Sequence, residues 1–172
     1  SFAMFAVGRT YDQIRNAICY ADLPVKIVAT HAGITVGEDG GSHQMIEDIA
    51  MMRVVPNMSV LIPADSTETE QMIRFAAAYQ HPIYVRLPRD KFPVIYSSDY
   101  KYEFGKWDVP VKGSGEVVVV ACGLMVGQAI AAAAILEQSG LSITVINAST
   151  IDPADTETLL RETEKAELVV TA

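Results

Sequence analysis

Residues 25–44 read VKIVATHAGITVGEDGGSHQ, and this stretch decides how the rest of the chain is interpreted. Residues 25–30 are mostly apolar and rich in β-branched side chains, which predicts a strand. Residues 31–41 form a glycine-rich loop, where glycines permit positive φ and a close approach of the backbone to a ligand. Ser42 is a suitable helix N-cap, so we expect a short helix over residues 43–52.

The same alternation of strand and helix continues on both sides of this stretch. Further strands are expected at residues 60–62, 82–87, 116–122, 142–147 and 167–171, with helices at 67–79, 128–139 and from Asp152 or Asp155 to about 165. Such a rhythm predicts an α/β fold with a parallel sheet and right-handed crossovers. Residues 93–115 lack this periodicity but contain tyrosines and Trp107, which indicates an ordered linker. The chain therefore divides into residues 1–92, the linker 93–115, and residues 116–172.

The composition excludes several classes of protein. Half of the 172 residues are apolar and a fifth are charged, which is typical of a globular protein and not of a disordered one. Thirteen basic against 21 acidic residues give a net charge of −8, so nucleic acid and anionic membranes are not expected as partners. Glycines interrupt the longest apolar run, so it predicts no membrane span. The two cysteines form no CxxC pattern, and we expect free thiols in a reducing compartment such as the cytoplasm.

Both ends of the chain lie in apolar sequence. The first residues are an apolar run without an initial Met, and the last follow the expected strand at 167–171. An unpaired apolar edge strand is a liability in a finished protein. We therefore interpret the sequence as part of a longer chain and both predicted domains as incomplete.

The polar residues that are candidates for binding or catalysis are concentrated in the glycine-rich loop. Because ligands of open α/β sheets bind at the carboxyl ends of the strands, the loop is a candidate site for sugar hydroxyls, a phosphate or a metal. The long separation of the two histidines and the absence of an HExxH motif disfavour a metal. An alternative is that the glycines only form turns and the polar residues only cap a helix. The residues concerned are His31, Glu38, Asp39, Ser42, His43 and Gln44.

Two further pairs of residues have a functional and a structural interpretation. Arg86 and Arg89 lie at the end of the strand at 82–87 and the start of the following loop, where a guanidinium can bind phosphate bidentately or form an ordinary ion pair. Phe2 and Phe5 are spaced i, i+3, and they either pack in the core or form an aromatic wall against a heterocycle.

Several motifs together resemble the thiamine-diphosphate-binding pyrimidine domain of the transketolase family. They occur in the order and at the spacing of that family over residues 1 to about 92, and residues from 116 onward resemble its smaller, three-layer α/β C-terminal domain. Deoxyxylulose-phosphate synthase has a related but different loop. The motifs are SFAMF at 1–5, YDQIR at 11–15, ATHAGITVGEDGGSHQ at 29–44, EDIAMMR at 47–53, PAD at 63–65 and YVRLPR at 84–89.

This resemblance implies an activity and a cofactor. Transketolases transfer a two-carbon ketol unit from a ketose phosphate to an aldose phosphate, using thiamine diphosphate and a divalent cation, usually Mg²⁺. The protein orients the cofactor and tunes its electrostatic surroundings. By the resemblance, Phe5, with Phe2 beside it, packs against the aminopyrimidine ring.

The resemblance also implies roles for four polar residues. Asp39 would accept a hydrogen bond from a donor hydroxyl, and His43 would lie near the donor carbonyl, which makes these two the candidate catalytic residues. His31 and Arg89 would hold the substrate phosphate. No residue of this chain is expected to bind the metal.

The resemblance further implies that these residues are inactive alone. The family's catalytic glutamate lies upstream, and its diphosphate and Mg²⁺ are held by a pyrophosphate-binding domain that this sequence does not contain. We expect a partner domain or subunit, in a homodimer or a heterotetramer, and the sequence leaves open whether the parent enzyme is one chain or split. A deoxyxylulose-phosphate synthase-like enzyme and a non-catalytic partner subunit are the alternatives.

Overall fold

The computed structural model describes residues 1–172, which divide into two compact units. The first unit comprises Ser1–Ile62, Glu70–Lys91 and Ile151–Pro153, and the second comprises Pro63–Thr69, Phe92–Thr150 and Ala154–Ala172. Each unit is therefore assembled from segments that are not contiguous in the sequence.

Helices and strands alternate along the chain, which confirms the predicted α/β class. None of the helices combines the length and the hydropathy needed to cross a bilayer. The helices are α1 (Tyr11–Gln13), α2 (Asp48–Arg53), α3 (Ser66–Ala78), α4 (Leu124–Glu137) and α5 (Thr156–Thr163), with π-type turns at Met4–Gly8 and Ile14–Cys19 and a 3-10 turn at Gly37–Asp39. The strands are β1 (Lys26–Ala29), β2 (Ser59–Leu61), β3 (Ile83–Arg86), β4 (Asp108–Val111), β5 (Val117–Ala121), β6 (Ile143–Asn147), β7 (Thr150–Asp152) and β8 (Leu168–Thr171).

The first sheet has the strand order β1-β3-β2-β7, and β3 pairs in parallel with both β1 and β2. Ile83, Tyr84 and Val85 of β3 are fully buried, as expected for a strand covered on both faces. In the register of β1 with β3, Ala29 lies opposite Arg86. The carboxyl ends of these two strands therefore meet at one edge of the sheet.

The second sheet has the order β4-β6-β5-β8. β5 pairs in parallel with β6 and β8, whereas β4 is antiparallel to β6. The strand β4 lies inside the segment 93–115, which we predicted as an ordered linker without regular structure. It was missed because four residues that include Pro110 carry almost no strand signal, and proline is tolerated there because β4 is an edge strand.

The helix after the glycine-rich loop is shorter than predicted. We expected it over residues 43–52 with Ser42 as its N-cap, but α2 begins at Asp48. The Gly33 N–H donates to the Met45 carbonyl at 2.7 Å in an isolated β-bridge, which keeps the chain extended before the helix. The Ser42 hydroxyl lies 3.0 Å from Nδ1 of His43 and caps no helix.

Asp65, the residue directly before α3, is the N-cap of that helix. This carboxylate is 1% exposed, and its Oδ1 accepts a hydrogen bond from the Glu68 N–H at 2.8 Å. Its Oδ2 accepts from the N–H groups of Ile95 and Tyr96, both at 2.8 Å. One buried carboxylate therefore both starts a helix and fixes the segment before β4 in the second unit.

Glu68 extends this polar core. It is fully buried and accepts hydrogen bonds from the Ala64 N–H at 2.7 Å, the Tyr100 hydroxyl at 2.7 Å and the Asn147 amide at 3.1 Å. Burial raises the pKa of Glu68 above its ordinary value, while the hydrogen bonds oppose that shift. The carboxylate has no cationic partner, so these neutral donors compensate for its removal from water.

We predict that Asp65→Ala lowers the free energy of unfolding by about 2–4 kcal/mol, because three buried N–H groups lose their acceptor. Urea unfolding of the purified protein measures this change. The control Glu70→Ala removes only an exposed i, i+4 ion pair with Arg74 and should change stability by about 0.5 kcal/mol or less. Equal effects of the two substitutions would contradict a structural role for Asp65.

Candidate functional site

The amino-terminal segment pairs with the end of β1 and so places its aromatic residues at the glycine-rich loop. The Thr30 N–H donates to the Ser1 carbonyl at 3.0 Å, and the Ala3 N–H donates to the Thr30 carbonyl at 2.7 Å. Phe2 and Thr30 thereby form a parallel bridge. The π-type turn that follows carries Phe5 to the same part of the first unit.

Four aromatic rings from separate parts of the sequence form one cluster. The rings of Phe2 and His31 stack with centroids 3.8 Å apart and planes inclined by 13°. Phe2 and Phe5 are nearly parallel, with an angle of 14° and centroids 6.0 Å apart. His43 meets Phe5 edge-on at 5.2 Å, and the guanidinium of Arg9 lies over the Phe5 ring at 4.5 Å. All four rings are half-buried, so a ligand can reach them.

Each imidazole of the cluster is oriented through one nitrogen. Nδ1 of His31 lies 2.9 Å from the Thr30 hydroxyl, and Nδ1 of His43 lies 3.0 Å from the Ser42 hydroxyl. The Nε2 atoms form no hydrogen bond within the chain and can donate to or accept from a ligand. His31 has a φ of +60°, which is uncommon for a residue other than glycine and indicates a fixed, constrained backbone.

Arg89 lies against the middle of the same loop. Its Nη1 donates to the Val36 carbonyl and lies 3.6 Å from Oδ2 of Asp39, while Nη2 is 3.8 Å from Oε2 of Glu38. The side chains of Arg89 and Asp39 are 36% and 35% exposed. The Arg89 guanidinium and the Asp39 carboxylate are therefore both accessible to solvent. Their polar contacts are with each other, with the exposed Glu38 and with the Val36 carbonyl.

A buried triad lies beneath the loop. Oδ2 of Asp48, at the start of α2, accepts hydrogen bonds from the Tyr84 hydroxyl at 2.7 Å and from Nε of Arg86 at 2.8 Å. Burial, with the nearby Asp48 carboxylate, raises the pKa of Tyr84 far above its usual range, so the hydroxyl remains a donor. Sequence reasoning assigned no role to Asp48 or Tyr84. The alternation of side chains on β3, which puts Tyr84 and Arg86 on one face, was the available signal.

Two family comparisons bear on this arrangement. Residues 1–94 match the family described as transketolase, pyrimidine binding domain, and residues 105–172 match the transketolase C-terminal domain. The chain belongs to the transketolase family.

Individual transketolase-family proteins resemble the whole chain. A putative transketolase C-terminal section of Methanocaldococcus jannaschii is 48% identical over 159 residues, which are 91% of this chain and 50% of that protein. A 1-deoxy-D-xylulose-5-phosphate synthase of Caldanaerobacter subterraneus is 35% identical over 99% of this chain and 28% of that protein. A solved structure described as a split gene transketolase, inactive β4 tetramer, has a TM-score of 0.91 and 43% identity, covering 99% of this chain and 55% of the other. The chain thus spans about half the length, or less, of these relatives.

The structure of this transketolase-family chain brings the six predicted site residues to one end of the first unit. Phe2, Phe5, His31 and His43 share the ring cluster, and Arg89, which follows β3, contacts Asp39 of the loop between the two histidines. The roles that the resemblance implies for them remain predictions. Arg9, which covers Phe5, was missed because an exposed arginine in a helical segment has no distinguishing pattern.

The chain contains no group of three or more His, Cys, Asp or Glu side chains that could hold a metal ion.

We predict that Gly37→Ala lowers the stability of the protein more than Gly140→Ala does. Both glycines have positive φ, of 77° and 81°, so both substitutions strain the backbone. Only at Gly37 would the new β-carbon meet another group, Nη1 of Arg89 at 2.8 Å, whereas nothing lies within 4 Å at Gly140. Displacing Arg89 from the Val36 carbonyl should cost about 1–2 kcal/mol more in thermal unfolding. Equal melting temperatures would show that Arg89 does not hold the loop.

Proposed function

We propose that this chain supplies the pyrimidine-ring and substrate-binding part of a transketolase. The enzyme would transfer a two-carbon ketol unit from a ketose phosphate to an aldose phosphate with thiamine diphosphate. The observation that carries the proposal is that one loop contributes His31 and His43 to the ring cluster with Phe2 and Phe5 and Asp39 to the pair with Arg89, in a chain of the transketolase family.

The aromatic side of the cluster fits the cofactor. The half-buried rings of Phe2 and Phe5, whose planes are inclined by 14°, offer apolar aromatic surface of the kind that packs against a flat heterocycle. When bound, thiamine diphosphate supplies the thiazolium carbon that carries the two-carbon unit. Phe5, with Phe2 beside it, would hold its aminopyrimidine ring, and a partner domain or subunit would hold the diphosphate and Mg²⁺.

The polar side of the cluster suits a sugar phosphate. The free Nε2 of His43 can orient or polarise the donor carbonyl, and the Asp39 carboxylate can accept a hydrogen bond from a donor hydroxyl. Arg89 and His31 can hold the phosphate, since a guanidinium presents paired N–H groups that match phosphate oxygens. The overall charge of −8 makes such local cations necessary for any anionic substrate.

A chain of this kind would need a partner. The relative described as a split gene transketolase is an inactive β4 tetramer, which supports our expectation that these residues are inactive without a pyrophosphate-binding domain or subunit. The active assembly would be a homodimer of a longer chain or a heterotetramer of two chain types. A cytoplasmic location, the reducing compartment expected from the cysteine pattern of the sequence, completes the proposal.

Deoxyxylulose-phosphate synthase is the second candidate, because a protein of that name is 35% identical to this chain. That activity would decarboxylate pyruvate instead of taking a ketol unit from a sugar. A non-catalytic partner subunit is disfavoured by chemistry, since a scaffold has no use for His31, Asp39, His43 and Arg89 together.

Native mass spectrometry and a paired activity assay of the purified natural protein test these alternatives. We expect an assembly that takes up thiamine diphosphate and Mg²⁺ and transfers a ketol unit between sugar phosphates. Condensation of pyruvate with an aldose phosphate, with no ketol transfer, would identify a deoxyxylulose-phosphate synthase instead. Failure of every assembly to bind the cofactor would leave the non-catalytic role.

We predict that Arg89→Ala raises the KM of phosphorylated donors about tenfold in the assembled enzyme, the loss expected for one charge-assisted hydrogen bond at a partly exposed site. The KM of the matching unphosphorylated donor should change little, because it lacks the anion. Arg74→Ala, which removes an exposed guanidinium from α3, is the matched control. An equal rise for both donors would exclude contact between Arg89 and the phosphate.

A further inference from the structure

The loop of residues 31–47 carries His31, Asp39 and His43, and its two ends are joined beneath it by one buried ion pair. We propose that Asp48 and Arg86 act as a clamp that holds this loop closed and so serve as positioning residues for catalysis. The catalytic part of this inference rests on the proposed function, whereas the closure of the loop can be measured without it.

The pair connects the start of the loop to its end. Asp48 is the first residue of α2 and directly follows the loop. Arg86 donates through Nε to Asp48, and its Nη2 lies so close to Gly33 that a β-carbon there would be 3.2 Å away. Gly33 has a φ of +81°, so a glycine both allows the turn and leaves room for the guanidinium.

Residues 32–34 and 44–48, where the two ends of the loop approach each other, form its neck. The Asp48–Arg86 pair differs from the other contacts at this neck. The Gly33 N–H to Met45 bond, the Ala32 N–H to Leu87 bond at 3.2 Å and the Gln44 amide to Ile34 bond at 3.0 Å are neutral. Asp48 and Arg86 are both charged, with side chains 0% and 15% exposed. Salt screens a buried pair less than an exposed one, and removing one partner leaves a buried charge uncompensated.

The position of Asp48 depends on its donors. Oδ2 receives the hydrogen bonds of Tyr84 and Arg86, while the buried Oδ1 has no partner. Arg86 is the only cation paired with the Asp48 carboxylate, which is fully buried and cannot reach water. Loss of the guanidinium should drive Asp48 toward solvent and pull the start of α2 away from β3.

Movement of the neck would move both imidazoles. His31 lies two residues before Gly33, and His43 lies two residues before its bridge partner Met45. A misplacement of reacting groups by about 1 Å can cost about 100-fold in rate. We therefore expect the clamp to act more on kcat than on KM, because Arg89, which is held by the Val36 carbonyl, can still bind the phosphate after His31 has moved.

The test uses the natural, assembled enzyme with the variants Arg86→Lys, Asp48→Asn and Arg86→Ala. We expect kcat to fall about 10- to 100-fold while the KM of the donor changes less than about threefold. Hydrogen exchange should accelerate at the Gly33 and His43 amides but not in β2. Adding methylguanidinium to Arg86→Ala should restore both protection and kcat, because it refills the site beside Asp48. Arg74→Ala is the control and should change neither measurement.

Three results would overturn the proposal: unchanged exchange at Gly33 and His43, acceleration throughout the first unit, or no recovery with methylguanidinium. Unchanged exchange would show that the pair does not hold the loop. Acceleration throughout the first unit, or no recovery with methylguanidinium, would show that the pair only stabilises the fold in general. If the unmodified assembly transfers no ketol unit, the proposed function fails, but the exchange and rescue measurements still decide whether Asp48 and Arg86 close the loop.

Discussion

The parallel pairing of β1 with β3 is the constraint on which the site depends. It places Ala29 opposite Arg86, so the loop that leaves β1 and the end of β3 emerge at the same sheet edge. The loop then contacts Phe2 through His31 and Arg89 through Asp39. The hydrogen bonds of Tyr84 and Arg86 to Asp48 fix this register, since a shift of β3 by one residue would turn both side chains to the opposite face of the sheet.

Both units use a buried carboxylate to hold irregular backbone. In the first unit, Asp48 accepts hydrogen bonds from Tyr84 and Arg86 at the end of the glycine-rich loop. In the second unit, Asp65 accepts hydrogen bonds from three main-chain N–H groups, and Glu68 accepts them from neutral side-chain donors. Such a carboxylate is expensive to bury but accepts several hydrogen bonds at once, so it can organise segments that have no periodic structure of their own.

The sequence predicts those elements of the fold that depend on interactions between residues close together in the chain. The valine run of β5 lies where the sequence places it. The helix at 43–52 was too long because the bond from Gly33 to Met45 is not local. The contacts of His31 with Phe2 and of Asp48 with Arg86 likewise join residues 29 and 38 positions apart. The six site residues came from the family motif, which encodes such distant contacts without revealing their geometry.

Arg86 and Arg89 are chemically identical, but their surroundings suit them to different tasks. Arg86 is paired with the fully buried carboxylate of Asp48. An anion that replaced Asp48 on Arg86 would leave that carboxylate buried without a cation, which is costly. Arg89 faces the exposed carboxylates of Glu38 and Asp39, and exposed pairs of this kind contribute only about 0–1 kcal/mol. A substrate phosphate could therefore replace them on Arg89 at little cost. That exchange would also release Asp39 to accept a hydroxyl of the donor, so phosphate binding and recognition of the sugar would occur together on a loop whose ends Arg86 keeps in place.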